Sequence, residues 1–385
     1  MQALALLALL AIALSAGAAE KCVLVRDGYG PQGMVAVRLE TVVAGLEVPW
    51  GIAFLPGGDA LVTERPGRLR LVPALSRRKA GDATRLPLVA SIAVDSDEEG
   101  GLLGVAIHPE FERNRFMYLY MTVRESGRKS NRVERWRVAE DLGSARFDRR
   151  ILENIPSAAY HDGGRLRFGP DGMLYVGTGD GGEPDRAQDP ASLGGKVLRL
   201  TPDGQVPKDN PVAGNPLYVL GVRNTQGFDW TGGRFYVTDH GPSGELLRRG
   251  HDEVNLASPG ANLGWPAIYG CQTHQGMVTP SLSWLTAVPP GGASFYTGTA
   301  IPEWRGSLLI GTLRSMHLHR VKLSSSDPAV VELHEVYFQD QAGRLRDVVM
   351  GPDGAPYVTT SNCDGRGDCP PDRDKILRLL PSSPR

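Results

Sequence analysis

The hydrophobic positions of this chain fall in short runs that share one grammar. An apolar residue is followed by Pro or a polar residue, then a glycine-containing turn, then a run rich in β-branched and aromatic residues. The grammar appears as AFLPGGDALVTER (53–65), RFGPDGMLYVGTGD (167–180), DWTGGRFYVTDHG (229–241) and VMGPDGAPYVTTSN (349–362). A looser copy with a longer turn is AIHPEFERNRFMYLYMT (106–122). Each copy predicts a β-hairpin. Asp-Gly or Gly-Gly supplies the positive φ of a tight turn, and the flanking residues suit strands. GRLRLV (67–72), GKVLRLT (195–201) and HRVKL (319–323) read as partner strands. Hairpins recurring along a whole chain predict a closed array of blades. The copies lie roughly 50–70 residues apart, so six blades fit the length best. Seven blades, or two stacked β-sandwiches, are the alternatives. No Pro/Ser-rich linker divides the chain. The expected fold class is therefore all-β, a six-bladed β-propeller, with residues 20–385 as a single domain.

Composition sharpens this picture. Gly (48) and Pro (29) together fill a fifth of the 385 positions, well above the roughly 12% of average usage. That excludes a helical bundle or coiled coil. A hydrophobic fraction of 41% is enough for a sizeable core, and a net charge of −1 offers nothing to nucleic acid.

Residues 1–19 carry no charged side chain, with an apolar stretch from Ala3 to Leu14 and small residues from Ser15 to Ala19. This predicts a cleaved signal peptide, a periplasmic or secreted product, and no stable membrane insertion after cleavage. An uncleaved N-terminal anchor is the other reading. Export permits disulfides. Cys363 and Cys369 enclose a short glycine-rich segment that reads as a stapled loop. Pairing them leaves Cys22 for Cys271, one of three possible connectivities.

Four segments could carry chemistry. His161 precedes Gly163 and Gly164 on a loop that a ligand's atoms could approach closely, and imidazole suits proton transfer near neutral pH. Arg223, Asn224 and Gln226 could grip a planar, oxygen-rich anion through forked hydrogen bonds. Backbone carbonyls at Gly241 and Pro242, with Asp252 and Glu253 nearby, suit a hard cation such as calcium. Arg314, Arg344 and Arg346 form a dispersed basic set. Taken singly, each segment reads equally well as a surface turn, a solvated histidine or ordinary surface charge.

In this order, however, the segments resemble the soluble quinoprotein glucose dehydrogenase and aldose sugar dehydrogenase family. The resemblance runs from about Leu46 to Leu379. It is carried by phrases such as VPWGIAFLPGG, EGGLLGVAIHPEF, HDGGRLRFGPDGMLYVGTGDGG, GVRNTQGF, DHGPSGE, HDEVNL and GRLRDVVMGPDG. It implies a six-bladed propeller with pyrroloquinoline quinone over the central mouth and a Ca²⁺ ion joining quinone to protein. It implies that His161 is the catalytic base and that Arg223 and Asn224 hold the quinone near its reactive carbonyls. Gly241 and Pro242 match positions whose carbonyls bind the calcium, and Arg344 and Arg346 match arginines facing cofactor carboxylates. Arg314 falls where the family often has lysine. Glu99 occupies a cofactor-facing place commonly held by glutamine, where a carboxylate would meet an anionic quinone. Thr225 replaces a usual proline and Leu263 a common tyrosine.

The activity so implied is oxidation of aldose sugars at C1 to lactones. Electrons would pass on to a cytochrome, a quinone or another carrier. No dinucleotide-binding glycine motif follows a strand and opens a helix. Two other classes share the expected architecture: a non-catalytic extracellular binding propeller and a calcium-dependent lactonase. Joint retention of His161, Arg223, Arg344 and Arg346 favours the dehydrogenase, because a pure binding module need not keep them.

Overall fold

The recurring hairpins fold into six antiparallel sheets, each a blade of a β-propeller. A computed structural model describes residues 21–79, 86–244 and 249–382. The expected leader, residues 1–19, lies outside the described residues. Blade 1 is Pro49–Phe54, Ala60–Glu64, Arg68–Val72 and Leu88–Ser91. Blade 2 is Leu102–Ile107, Phe116–Glu125, Arg128–Val138 and Ala145–Ile155. Blade 3 is Leu166–Phe168, Leu174–Gly177, Lys196–Leu200 and Leu217–Leu220. Blade 4 is Gly227–Thr231, Arg234–Asp239, Asp252–Ala257 and Leu282–Trp284. Blade 5 is Pro290–Phe295, Leu308–Thr312, Leu318–Leu323 and Val331–Tyr337. Blade 6 is Leu345–Met350, Pro356–Thr360 and Asp374–Pro381, with Val37–Leu46 from the other end of the chain as its outer strand.

That last pairing closes the ring. The residues ahead of it cover further sheet edges. Val23–Val25 pairs in parallel with Leu282–Trp284 on blade 4, and Gln32 bridges to Val336 on blade 5. The N-terminal segment thus blunts three successive edges that would otherwise expose unpaired backbone groups. A disulfide between Cys22 and Cys271 fastens its start, and Cys363–Cys369 closes the second expected pair.

Apolar side chains pack between blades. Each of six clusters joins two neighbours: Leu61, Leu69, Val105 and Leu119 lie between blades 1 and 2, and Tyr175, Val197, Phe228 and Val237 between blades 3 and 4. Around the axis the innermost strands touch through glycine. A Cβ on Gly104 would lie 2.1 Å from the Gly164 carbonyl oxygen, and one on Gly291 would lie 2.2 Å from that of Arg346. Side chains there would push the blades apart.

On the axis, Arg165 Nη1 meets Asp347 Oδ1 at 2.9 Å, both side chains almost wholly buried. Arg165 lines a lower cavity of about 370 Å³, distinct from an upper cavity of about 310 Å³.

Blade 5 also buries histidines. His317 Nδ1–H donates to the Ser315 carbonyl at 3.0 Å, and His319 Nδ1–H donates to His317 Nε2 at 3.1 Å. Burial pushes His317 down to about 4 and His319 well below its ordinary value. An unfolded histidine titrates near 6.5. Between these values the unfolded chain binds a proton that the folded chain refuses, so this group's contribution to stability falls as pH drops from about 6.5 to about 4. Denaturant midpoints measured across that window should fall more steeply for the wild type than for His317→Gln. Parallel slopes would exclude His317 as a source of acid sensitivity.

Candidate active site

The upper cavity collects residues that are far apart in sequence. His161, Glu99, Arg223, Asn224, Arg314, Arg344 and Arg346 all line it, on loops from several blades and, for Arg346, on the strand Leu345–Met350. His161 itself has φ +66°, and the chain around it passes unusually close to the loop after Gly177. A Cβ on Gly163 would sit 2.5 Å from Thr178 Cα, and one on Gly179 would sit 2.0 Å from the His161 carbonyl oxygen. These two glycines allow the loops to stack, which brings Asp180 under the imidazole. His161 Nδ1–H donates to Asp180 Oδ1 at 2.7 Å. Asp180 Oδ2 in turn accepts from Trp265 Nε1–H at 2.9 Å, and Asp180 Oδ1 accepts from the Gly182 N–H at 2.8 Å. The carboxylate is therefore locked, and it selects the imidazole tautomer whose Nε2 carries the lone pair.

Asn224 is held just as firmly. Its Oδ1 accepts from the Gly163 N–H at 2.9 Å, and its Nδ2 donates to His240 Nδ1 at 3.4 Å. Burial pushes His240 down to about 3, and its Nε2–H donates to the Pro290 carbonyl at 2.7 Å. The backbone N–H groups of Arg223 and Asn224 both donate to Asp239 at 2.8 Å. Burial pushes Asp239 up to about 7 all the same.

The C-terminal arginines form a brace. Arg346 Nη1 donates to Gln226 Oε1 at 2.5 Å, and Arg344 Nη2 donates to Asp364 Oδ2 at 2.9 Å. Burial pushes Arg346 down to about 10. Asp364 feels burial in the upward direction, but Arg346 and Arg344 beside it hold it below its ordinary value. Arg314 is solvent-exposed and lines the rim.

Glu99 does not stand as a bare negative charge. Its Oε1 accepts from Arg366 Nη1 at 2.5 Å, and its Oε2 accepts from the His161 N–H at 3.0 Å. Burial alone would raise its pKa, but Arg366 and His161 outweigh it and hold it low. The carboxylate is ionised, paired, and tied to the backbone of the histidine.

Asp252 and Glu253 have local duties. Asp252 Oδ1 accepts from the Gly241 N–H at 2.9 Å and its Oδ2 from the Val288 N–H at 2.6 Å. Glu253 Oε1 accepts from the Gly270 N–H at 2.6 Å, and burial pushes this group up to about 8. Asp252 thus fixes the Gly241–Pro242 turn. Among the described residues no group of three or more His, Cys, Asp or Glu is arranged to hold a metal ion. Leu263 is buried in the core between blades 3 and 4 rather than at the mouth.

A family model described as Glucose / Sorbosone dehydrogenase matches residues 46–377. The chain belongs to the glucose/sorbosone dehydrogenase family. Aldose sugar dehydrogenase YliI of Escherichia coli K12 is 32% identical over 354 residues, covering 86% of this chain and 91% of the relative. Quinoprotein glucose dehydrogenase B of Acinetobacter calcoaceticus is 27% identical over 333 residues, covering 76% and 67%. The solved PQQ-bound aldose sugar dehydrogenase of Streptomyces coelicolor has a TM-score of 0.78 at 33% identity, covering 91% of this chain and 99% of that one.

In this family member the charged cavity residues Arg65, Asp364 and Arg366 escaped the sequence reading. Two of them sit inside the Cys363–Cys369 loop. A charged, glycine-rich loop closed by a disulfide was itself the signal. The staple presents Asp364 to the two arginines and Arg366 to Glu99.

Proposed function

We propose that this protein oxidises aldose sugars at C1 to lactones, with pyrroloquinoline quinone and calcium as cofactors. The observation that supports this most is the charge of the upper cavity. Six arginines (Arg65, Arg223, Arg314, Arg344, Arg346 and Arg366) line it against three carboxylates (Glu99, Asp162 and Asp364). Burial raises the pKa of Asp162, whose carboxylate accepts from Ser157 and Asn131. A surplus of guanidinium groups around one mouth, with Arg223, Arg344 and Arg346 buried, calls for a flat, multiply anionic partner, and pyrroloquinoline quinone is a planar tricarboxylate.

Arg344, Arg346 and Arg366 would hold its carboxylates, and Arg223 and Asn224 its oxygen edge. The Gly241 and Pro242 carbonyls would hold calcium, with Asp252 fixing the turn through the Gly241 N–H. When bound, the calcium-polarised quinone supplies the acceptor for the hydride leaving C1. His161 takes the proton of the anomeric hydroxyl at Nε2, and Asp180 steadies the imidazolium that forms. Glu99 fixes the His161 backbone while Arg366 cancels its charge. The electron acceptor is a carrier such as a cytochrome or a quinone, and the working compartment is the periplasm or the exterior.

The direct test is reconstitution. Apoprotein given pyrroloquinoline quinone and Ca²⁺ should reduce an artificial dye in a sugar-dependent manner and bind the quinone in an absorbance titration. Absence of both would reject the proposal. Removing calcium with a chelator should lower both activity and thermal midpoint, because a ligand bound only by the folded state stabilises it. Unchanged melting and activity after exhaustive chelation would remove calcium from the scheme.

The staple makes a separate expectation. In Cys363→Ser/Cys369→Ser, Asp364 and Arg366 lose their fixed positions. Loss of the cross-link costs about 2 kcal/mol on the chain-entropy account. Quinone affinity should fall while the far-UV spectrum stays that of an intact propeller. Unaltered affinity would show that the loop holds its shape without the bond.

A further inference from the structure

Blade 2 has the longest strands among the described residues, Arg128–Val138 and Ala145–Ile155 at 11 residues each. They are crowded with arginine, and along most of their length each arginine has an acidic partner. Arg132 pairs with Glu125 and Glu134, Arg135 with Asp148 and Asp203, and Arg150 with Glu125 and Glu153.

At one end of the blade the pattern stops. Arg137 and Arg146 stand directly opposite each other on neighbouring antiparallel strands, so their side chains share one face of the sheet. Arg115 precedes Phe116, which is the partner of Arg137 on the other side. All three arginines line a single surface cleft of about 360 Å³, in which Glu140 is the one acidic residue. None of the three takes part in an ion pair among the described residues. This end of the blade continues the Ile107–Met117 pairing, and Ile107 lines the lower cavity, so the cleft faces away from His161.

Like charges directly opposite on a sheet destabilise it, and the acids that relieve the same problem farther along the strands are missing here. Guanidinium forks match the oxygens of a phosphoryl group, which can bridge two of them at once. We propose that this cleft is an anion-binding site for a phosphoryl group, held between Arg137 and Arg146 with Arg115 on the third side. The ligand is a phosphate monoester, carried either by a small soluble molecule or by a phospholipid headgroup. The site is separate from the sugar-oxidising cavity and does not depend on the function proposed for it.

The test uses the whole chain with inorganic phosphate as probe. Phosphate should raise the thermal midpoint of the wild type beyond the effect of sodium chloride at matched ionic strength. Calorimetric titration should give a phosphate affinity about tenfold or more weaker in Arg137→Ser/Arg146→Ser, the loss expected for one charge-assisted contact pair. In phosphate-free, low-salt buffer Arg146→Ser should melt at or above the wild type, because it removes the facing like charge. A variant that merely misfolds would melt lower, which separates the two outcomes. Co-sedimentation with phosphatidic acid vesicles, but not phosphatidylcholine vesicles, would assign the headgroup source. Phosphate binding without vesicle binding would assign a soluble ester. Phosphate acting no differently from chloride on the wild type, or equally on wild type and double variant, would overturn the proposal.

Discussion

His161→Ala should lower turnover of the quinone-loaded protein by about 10²–10⁴-fold, the usual contribution of a positioned proton acceptor. Quinone binding should change far less, because the groups that would hold the cofactor are on other segments: Arg344 and Arg346 at the start of blade 6, and Arg223 ahead of blade 4. The expectation singles out this histidine for a geometric reason. Of the eight histidines, His317 and His319 are sealed in blade 5, and His240 is committed through both ring nitrogens to Asn224 and Pro290. His161 lines the cavity and is backed by a fully buried carboxylate at 2.7 Å. Asp180→Asn should also slow turnover, since an amide in place of the carboxylate stabilises the imidazolium less. The measurement is kcat at saturating sugar alongside a quinone titration. Near-normal turnover in loaded His161→Ala would overturn the mechanism and leave the fold untouched.

What could be read in the sequence follows the range of the interactions involved. The hairpins of blades 1, 3, 4 and 6 were legible because a tight glycine turn and its two strands are contiguous. Blade 5 was not. Its two inner strands, Pro290–Phe295 and Leu308–Thr312, are separated by residues 296–307, which include the short turn of helix Pro302–Trp304. Its innermost strand also begins Pro-Gly-Gly, which by composition is a turn. Those glycines are there because Gly291 abuts the Arg346 backbone, a contact with no local signature. Ring closure by Val37–Leu46 against Asp374–Pro381 is equally non-local. At the site, motif resemblance picked out Glu99, His161, Arg223, Asn224, Arg314, Arg344 and Arg346, which line one cavity, whereas Gly241, Pro242, Asp252 and Glu253 are not among its lining residues. Asp180 went unremarked because it only ends one of the repeated hairpin phrases. Arg65 and Arg366 look like ordinary surface charge until the blades bring them to one mouth.

The largest stability effect should come from the axis. Asp347→Ala would strip three partners at once. Asp347 Oδ1 neutralises Arg165 at 2.9 Å and accepts from the Val348 N–H at 2.9 Å, while Oδ2 accepts from the Ile52 N–H at 3.0 Å. These groups belong to blades 3, 6 and 1, so one carboxylate ties three blades where their innermost strands meet. Arg165, almost wholly buried, would be left as an uncompensated guanidinium, and burial already disfavours its charge. Breaking a buried pair from one side costs about 3–5 kcal/mol. The size of this effect comes from the stranded charge, not from the worth of the pair. Arg165→Met/Asp347→Leu, which removes both charges and keeps apolar volume, should therefore recover most of the loss. Denaturant midpoints of the single and double variants measure this directly. A double variant as unstable as Asp347→Ala would mean that the hydrogen bonds to Ile52 and Val348, rather than the charge on Arg165, are what Asp347 contributes to the closed ring.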